Sequence, residues 1–307
     1  MAELTAETTA EETPVTAASG ELPSRDIGAD DPAPGVKQIV LVMSGKGGVG
    51  KSTVCSNLAL ALRRAGYRVG LLDADMYGPS VPTMFGVTSK PTTDGQSIKP
   101  PQRFGIKLMS IGFLIEEPTE AVVWRGPMLH SAVIQFVKDV DWGNLDFLLV
   151  DMPPGTGDVA LTFAQNVRTS GAIVVTTPQE VALQDVYKSV SMARKLGIDI
   201  LGVVENQSYF ICGKCSERHE IFGSGGGEKL SLFAEAPLFG QIPIEQQVRE
   251  WGDAGTPVVQ AAPGSAVSQA FVQVAERLVA DLTERGQSTP ISIDRSGGTN
   301  RRLPIAR

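Results

Sequence analysis

Residues 44–53 read SGKGGVGKST and continue directly from the apolar run QIVLVMS (38–44). A glycine at 45, four residues, then Gly50-Lys51-Ser52 is the spacing of a phosphate-binding loop. Gly45, Gly47, Gly48 and Gly50 let the backbone N–H groups of the 45–53 stretch, that of Val49 included, turn inward around a phosphate chain. A helix that begins near Lys51 adds the positive end of its dipole. In that frame Lys51 reaches the β and γ phosphates of ATP, Ser52 places its hydroxyl on Mg2+, and Thr53 lies against the α phosphate. Such a loop has its function only between a buried strand and a helix, so it also predicts the fold.

The remainder of the chain agrees with that prediction. Short Val/Ile/Leu runs recur at YRVGLLDAD (67–75), IKLMSIGF (106–113), LDFLLVDM (145–152), GAIVVTTP (171–178), DILGVVEN (199–206) and PLFGQIP (237–243). They are nearly all apolar instead of alternating, which predicts strands covered on both faces. The intervening segments have helical spacing, as in EVALQDVYKSVSMARKLG (180–197), where Val186, Val190 and Ala193 share one face. The expected architecture is a single α/β P-loop NTPase domain with a mainly parallel sheet and helices on both faces.

Charge places the domain boundaries. Residues 1–36 carry eight acidic side chains and one basic one, Arg25, which equals the whole net charge of −7 and leaves 26 basic against 26 acidic elsewhere. Residues 1–36 read as a disordered acidic extension, 37–285 as the globular domain and 286–307 as a flexible basic tail. A globular part without net charge argues against sequence-independent nucleic-acid binding. No apolar run approaches the ~18 residues of a membrane span, and the start MAELTAETTAEETPVTAASG has neither the charge nor the apolar stretch of a secretory signal. The expectation is a cytoplasmic protein with no membrane partner.

Two further strand ends carry carboxylates suited to a γ-phosphate site. LLDADMYGPSVP (71–82) holds Asp73 and Asp75, and LLVDMPPGTGD (148–158) holds Asp151 and Gly155. Asp151 fits a carboxylate that holds magnesium through water, Asp75 one that orients the attacking water, and Asp73 a place in the magnesium shell. The sequence does not separate Asp73 from Asp75, and turn capping is the alternative for both Asp73 and Asp151. Gly155 has a backbone N–H to offer the γ phosphate.

The third signal is YFICGKCSERHE (209–220), with Cys212 and Cys215 two residues apart. Two thiolates are half of a zinc or iron-sulfur site. A second copy of the chain could supply the other two across a two-fold axis. His219 could instead join them in a zinc loop, and a redox dithiol or idle thiols remain as further readings. Cys55, among Val54, Leu58 and Leu62 of the helix after the loop, reads as core.

Lys46 inside the loop gives GKGGVGKST, which resembles the deviant Walker A motif of the superfamily that contains MinD, ParA and the nitrogenase iron protein. Within it, DADMYGPSVP, DMPPGTGD, TTPQEVAL and VVENQSYFICGKC resemble the Mrp/Nbp35/ApbC family of ATP-dependent iron-sulfur cluster carriers, over about residues 38–282. The resemblance implies an ATPase that is a homodimer, with Lys46 reaching the partner subunit's nucleotide. It further implies a 4Fe-4S cluster bridging two Cys212/Cys215 pairs, and iron-sulfur acceptor apo-proteins and scaffold proteins as partners. By the same resemblance Asn206 contacts the adenine base and Pro243 closes the other side of that pocket. Gly213 departs from the family, in which many members carry proline. A MinD- or ParA-type positioning ATPase is the main alternative; it needs an amphipathic helix for membrane attachment, whereas the tail holds Pro290, Gly297, Gly298 and Pro304. A nitrogenase-reductase-like electron donor is less similar, since its cluster cysteines are far apart in sequence.

Overall fold

The computed structural model describes residues 22–76, 78–114, 126–155 and 157–287. Strands in chain order are β1 (Val36–Ser44), β2 (Val69–Asp73), β3 (Thr92–Thr93), β4 (Ile98–Lys99), β5 (Gln102–Arg103), β6 (Ile106–Ser110), β7 (Leu145–Asp151), β8 (Gly171–Thr176), β9 (Ile200–Glu205), β10 (Phe210–Ile211), β11 (Arg218–His219) and β12 (Leu238–Gln241). Helices are α1 (Lys51–Arg64), α2 (Val81–Met84), α3 (Gly126–Asp139), α4 (Asp158–Asn166), α5 (Glu180–Lys195), α6 (Gly226–Ala234), α7 (Gln246–Asp253), α8 (Val258–Ala261) and α9 (Ala266–Gln287).

Eight strands form one sheet in the order β12-β9-β8-β1-β7-β2-β6-β5. All pairings in it are parallel except β5 with β6. Each apolar run singled out in the sequence is one of its strands, with β6 ending at Ser110 because a 3-10 turn (Ile111–Leu114) follows. Along β1 the side chains alternate between two cores. Ile39, Leu41 and Met43 face the helices α3 to α6, whereas Val40 and Val42 face α1, α8 and α9. Val186, Val190 and Ala193 of α5 are fully buried in the first core, and each valine is worth about 1.5–3 kcal/mol of transfer free energy there.

The strand order puts β1 between β7 and β8, so the loop after β1 leaves the middle of the sheet. Parallel register brings Asp73 level with Asp151, and Val42 with Asp151, on adjacent strands. Polar groups at the carboxyl ends of β1, β2, β7 and β9 therefore share one edge, the edge on which open α/β sheets hold ligands.

The amino-terminal boundary lies earlier than residue 37. Leu22 is buried in the α1/α9 core, and Gln38 donates from its side-chain amide to the Pro23 carbonyl (2.6 Å). Arg25, itself buried, forms a bidentate ion pair with Asp31 and donates to the Ala33 carbonyl (2.9 Å). Composition hides this strap, because its anchors are one leucine and one ion pair within an acidic, Pro-rich stretch. The rest of the expected extension, 1–21, lies outside the described residues, as does the expected tail 286–307 beyond Gln287, where α9 ends.

Candidate nucleotide and cysteine sites

Gly48 and Gly50 have φ of +83° and +80°, backbone that a side chain rarely adopts. A Cβ on Gly45 would lie 2.2 Å from the Val186 amide nitrogen of α5, so glycine there permits close helix packing. Val49 points its side chain into the core and offers the loop only its backbone. Helix α1 starts at Lys51 with no side chain capping it and no acidic residue in its first turn. Its first N–H groups are available to an anion. Around the loop lies a cavity of about 660 Å³, lined by Lys46, Lys51, Ser52, Thr53 and Asp75 and, on the far wall, by Asn206 and Pro243.

Lys51 is buried and bridges two carboxylates, Asp151 Oδ1 at 2.7 Å and Asp75 Oδ2 at 3.3 Å. Burial disfavours its charge, but Asp151 and then Asp75 outweigh burial and hold the ammonium above its ordinary pKa. Burial pushes the Asp151 carboxyl up against the opposing pull of Lys51 and the Ser52 hydroxyl. Its Oδ2 is buried without a hydrogen-bond partner of normal geometry, a state that costs about 1–3 kcal/mol. An unsatisfied carboxylate oxygen beside Ser52 fits a hydrated Mg2+, which would neutralise charge between the β and γ phosphates.

Asp73 and Asp75, equivalent in the sequence, separate in space. Asp75 lines the cavity. Asp73 is wholly buried, with Oδ1 accepting from the Asp75 amide (3.1 Å) and Oδ2 from the Ser80 and Val81 amides and the Ser110 hydroxyl (3.1, 3.2 and 3.0 Å). Burial, then the Asp151 charge, pushes its pKa to about 7. With both oxygens engaged, Asp73 fixes the loop that carries Asp75. The Gly155 N–H donates to the Ser44 carbonyl (2.8 Å), so meeting a γ phosphate requires that bond to open. Asn206 donates from Nδ2 to the Val49 carbonyl (2.9 Å) and so ties the loop to the residue after β9.

The cysteine pair sits on an excursion from the same edge. Antiparallel β10 and β11 form a hairpin, with Phe210 opposite His219. Cys212 N–H donates to the Glu217 carbonyl (2.9 Å) and Ser216 N–H to the Cys212 carbonyl (2.8 Å), which closes the turn. The backbone amides of Lys214 and Cys215, then the Cys215 thiol, favour the Cys212 thiolate and hold its pKa below the ordinary value. Cys215 is exposed and Cys212 half-buried. Among the described residues no third His, Cys, Asp or Glu joins them as a metal-binding group; His219 instead faces Glu217 at 3.8 Å. Nothing lies within 4 Å of a Cβ built on Gly213, so the turn has room at the position where it departs from the family. Cys55 is buried, and burial raises its thiol pKa far above the ordinary value.

The excursion is tied to the nucleotide wall. Ser208 N–H donates to the Ile242 carbonyl (2.9 Å), Ile244 N–H to the Tyr209 carbonyl (2.6 Å), and Ile242, Pro243 and Ile244 all line the cavity. Sequence reading missed the polar residues that organise this junction, Glu205, Ser208 and Gln241. The available signal was a glutamate closing the otherwise apolar strand ILGVVE.

A glycine loop between a central parallel strand and an uncapped helix, faced by carboxylates from two neighbouring strands, defines a P-loop NTPase. The profile of the ParA group described as the NUBPL iron-transfer P-loop NTPase matches residues 35–279. The iron-sulfur cluster carrier protein of Aquifex aeolicus is 52% identical over 250 residues, covering 80% of this chain and 68% of that protein. The mouse iron-sulfur cluster transfer protein NUBPL is 44% identical over 265 residues, 85% of this chain and 83% of its own. Among solved structures, the nucleotide-binding protein of Archaeoglobus fulgidus in complex with ADP is similar at TM-score 0.63 and 40% identity, over 72% of this chain and 87% of that one. The Pyrococcus furiosus cell division ATPase MinD follows at TM-score 0.59 and 27% identity, over 78% and 98%. The chain belongs to the iron-transfer P-loop NTPase family of the iron-sulfur cluster carriers. No helix among the described residues is long and apolar enough to cross a membrane.

Proposed function

We propose that the chain is a homodimeric, cytoplasmic ATPase that carries a 4Fe-4S cluster between its subunits and hands it to apo-proteins, after loading from a scaffold protein. The observation that carries this reading is the exposed Cys212/Cys215 turn on a hairpin bonded to the wall of the P-loop cavity. One chain brings two thiolates; two chains related by a two-fold axis bring the four that a cubane cluster takes. The names of the relatives support iron-sulfur cargo, and the ADP complex of a similar structure supports nucleotide binding.

In this reading the incoming phosphates take Lys51 from Asp151 and Asp75. Asp151 and Ser52 hold Mg2+, and Asp75, released from Lys51, orients the attacking water from the loop that Asp73 fixes. Gly45 to Thr53 cradle the phosphates, and Asn206 and Pro243 hold the base. Gly155 registers the γ phosphate by leaving Ser44, and Lys46 reaches the nucleotide across the interface. Closure of the dimer by the γ phosphate sets the separation of the cysteine pairs, and hydrolysis relaxes it. Stopped-flow transfer from the loaded protein to an apo-protein that accepts a 4Fe-4S cluster tests the coupling. MgATP should change the rate for wild type and leave Lys51→Ala unaffected, while ATP turnover in Lys51→Ala should fall by roughly 10²-fold or more. Equal transfer rates for both proteins under every nucleotide condition would refute the coupling.

A further inference from the structure

Glu205 is a fully buried carboxylate at the end of β9 that the nucleotide chemistry does not use. Its Oε1 accepts from the Ser208 hydroxyl (2.5 Å) and the Gln241 side-chain amide (3.1 Å). Its Oε2 accepts from the Gly227 N–H in the first turn of α6, where the helix dipole also favours a negative charge. Ser208 and Gly227 are the two feet of the excursion that carries the cysteines, one just before β10 and the other just after residue 225. One carboxylate therefore holds both ends of a loop whose middle is otherwise exposed. Gly227 is required for the approach, since a Cβ there would lie 2.9 Å from Glu205 Cβ and 3.0 Å from Leu238 Cδ1. The next residue, Asn206, holds the P-loop at Val49. The end of β9 thus grips the phosphate loop with one side chain and the cysteine loop with the one before it.

We propose that Glu205 is a positioning residue for the cysteine pair, a clamp that fixes both feet of the 208–225 excursion to the sheet edge and thereby sets how firmly the Cys212/Cys215 turn holds its cargo. The cargo part rests on the carrier function proposed above; the clamp itself does not. Removing the Ser208 hydroxyl takes the carboxylate's hold from one foot, which keeps its backbone bonds to Ile242 and Ile244, and leaves the carboxylate its other donors. Glu205→Gln keeps the volume and one acceptor, and Glu205→Ala removes the clamp.

Amide hydrogen exchange on the full-length, metal-free chain reads the clamp directly. Peptides within 208–225 should exchange roughly tenfold faster in Ser208→Ala and Glu205→Gln, and faster still in Glu205→Ala if it folds. Peptides from β8 and α5 should exchange at the wild-type rate. Wild-type exchange in 208–225 for both milder variants, or acceleration spread evenly across the sheet, would overturn the proposal. On the loaded protein, a ferrous chelator should strip iron faster in the same order of variants. Chelation at the wild-type rate from clearly loosened loops would remove the cargo part. A chain that takes up no cluster would refute the carrier function and leave the exchange result to decide the clamp.

Discussion

The buried charges at the carboxyl edge of the sheet set the terms on which the site works. Lys51 keeps its proton because two carboxylates outweigh burial, and in the proposed cycle both partners give it up to a phosphate. Asp73 is the opposite case, a carboxyl that burial and Asp151 hold near neutrality. Between its ordinary value of 3.8 and about 7 the folded chain keeps a proton that the unfolded chain has released. Stability therefore declines as pH rises through that window, and the full penalty stands above it. Asp73→Asn removes the titration. In urea unfolding of the metal-free chain, the stability of the variant relative to wild type should improve between about pH 5 and about pH 8. A difference that stays constant over that range would show that Asp73 is ionised throughout. Asp146 has the reverse sign: burial is outweighed by Arg68 and Lys37, its pKa is depressed, and its contribution is lost only in acid, below the ordinary carboxylate range.

The elements show what a linear pattern can and cannot encode. Strands β1, β2, β6, β7, β8, β9 and β12 were legible because burial on both faces demands unbroken apolar runs, and the glycine loop was legible because its spacing is dictated by the phosphates. The strap at 22–35 was not, since its hold depends on Arg25 and Asp31 meeting in space. Nor was the division of labour between Asp73 and Asp75, which rests on the Ser80, Val81 and Ser110 donors converging on only one of them. Deleting residues 2–21 should leave the free energy of unfolding within about 0.5 kcal/mol of the wild-type value. Deletion through residue 35 strips Leu22 and the buried ion pair and should cost about 2–4 kcal/mol. Equal stability of the two truncations would show that the strap contributes nothing. The phosphate loop itself is tested through Lys46, which sits half-buried at the cavity wall. Lys46→Ala should weaken the dimer formed with a non-hydrolysable ATP analogue by roughly tenfold or more in sedimentation. Identical dimer constants for the variant and wild type would remove its role across the interface.

For the whole molecule, the decisive feature is that one chain presents two sites of unequal completeness. The nucleotide site has its loop, Lys51 and its carboxylates within a single chain, whereas the cysteine turn presents two thiolates and, among the described residues, no third ligand. Metal stoichiometry measures whether a second copy completes the cysteine site. After anaerobic reconstitution, iron and sulfide analysis with sedimentation on the same sample should give about four irons and about four sulfides per dimer, with a brown chromophore. Cys212→Ala and Cys215→Ala should each abolish it, while Cys55→Ala and His219→Ala retain it and all four variants still bind ATP. One zinc per chain that depends on His219, with no chromophore, would rule out completion by a second copy.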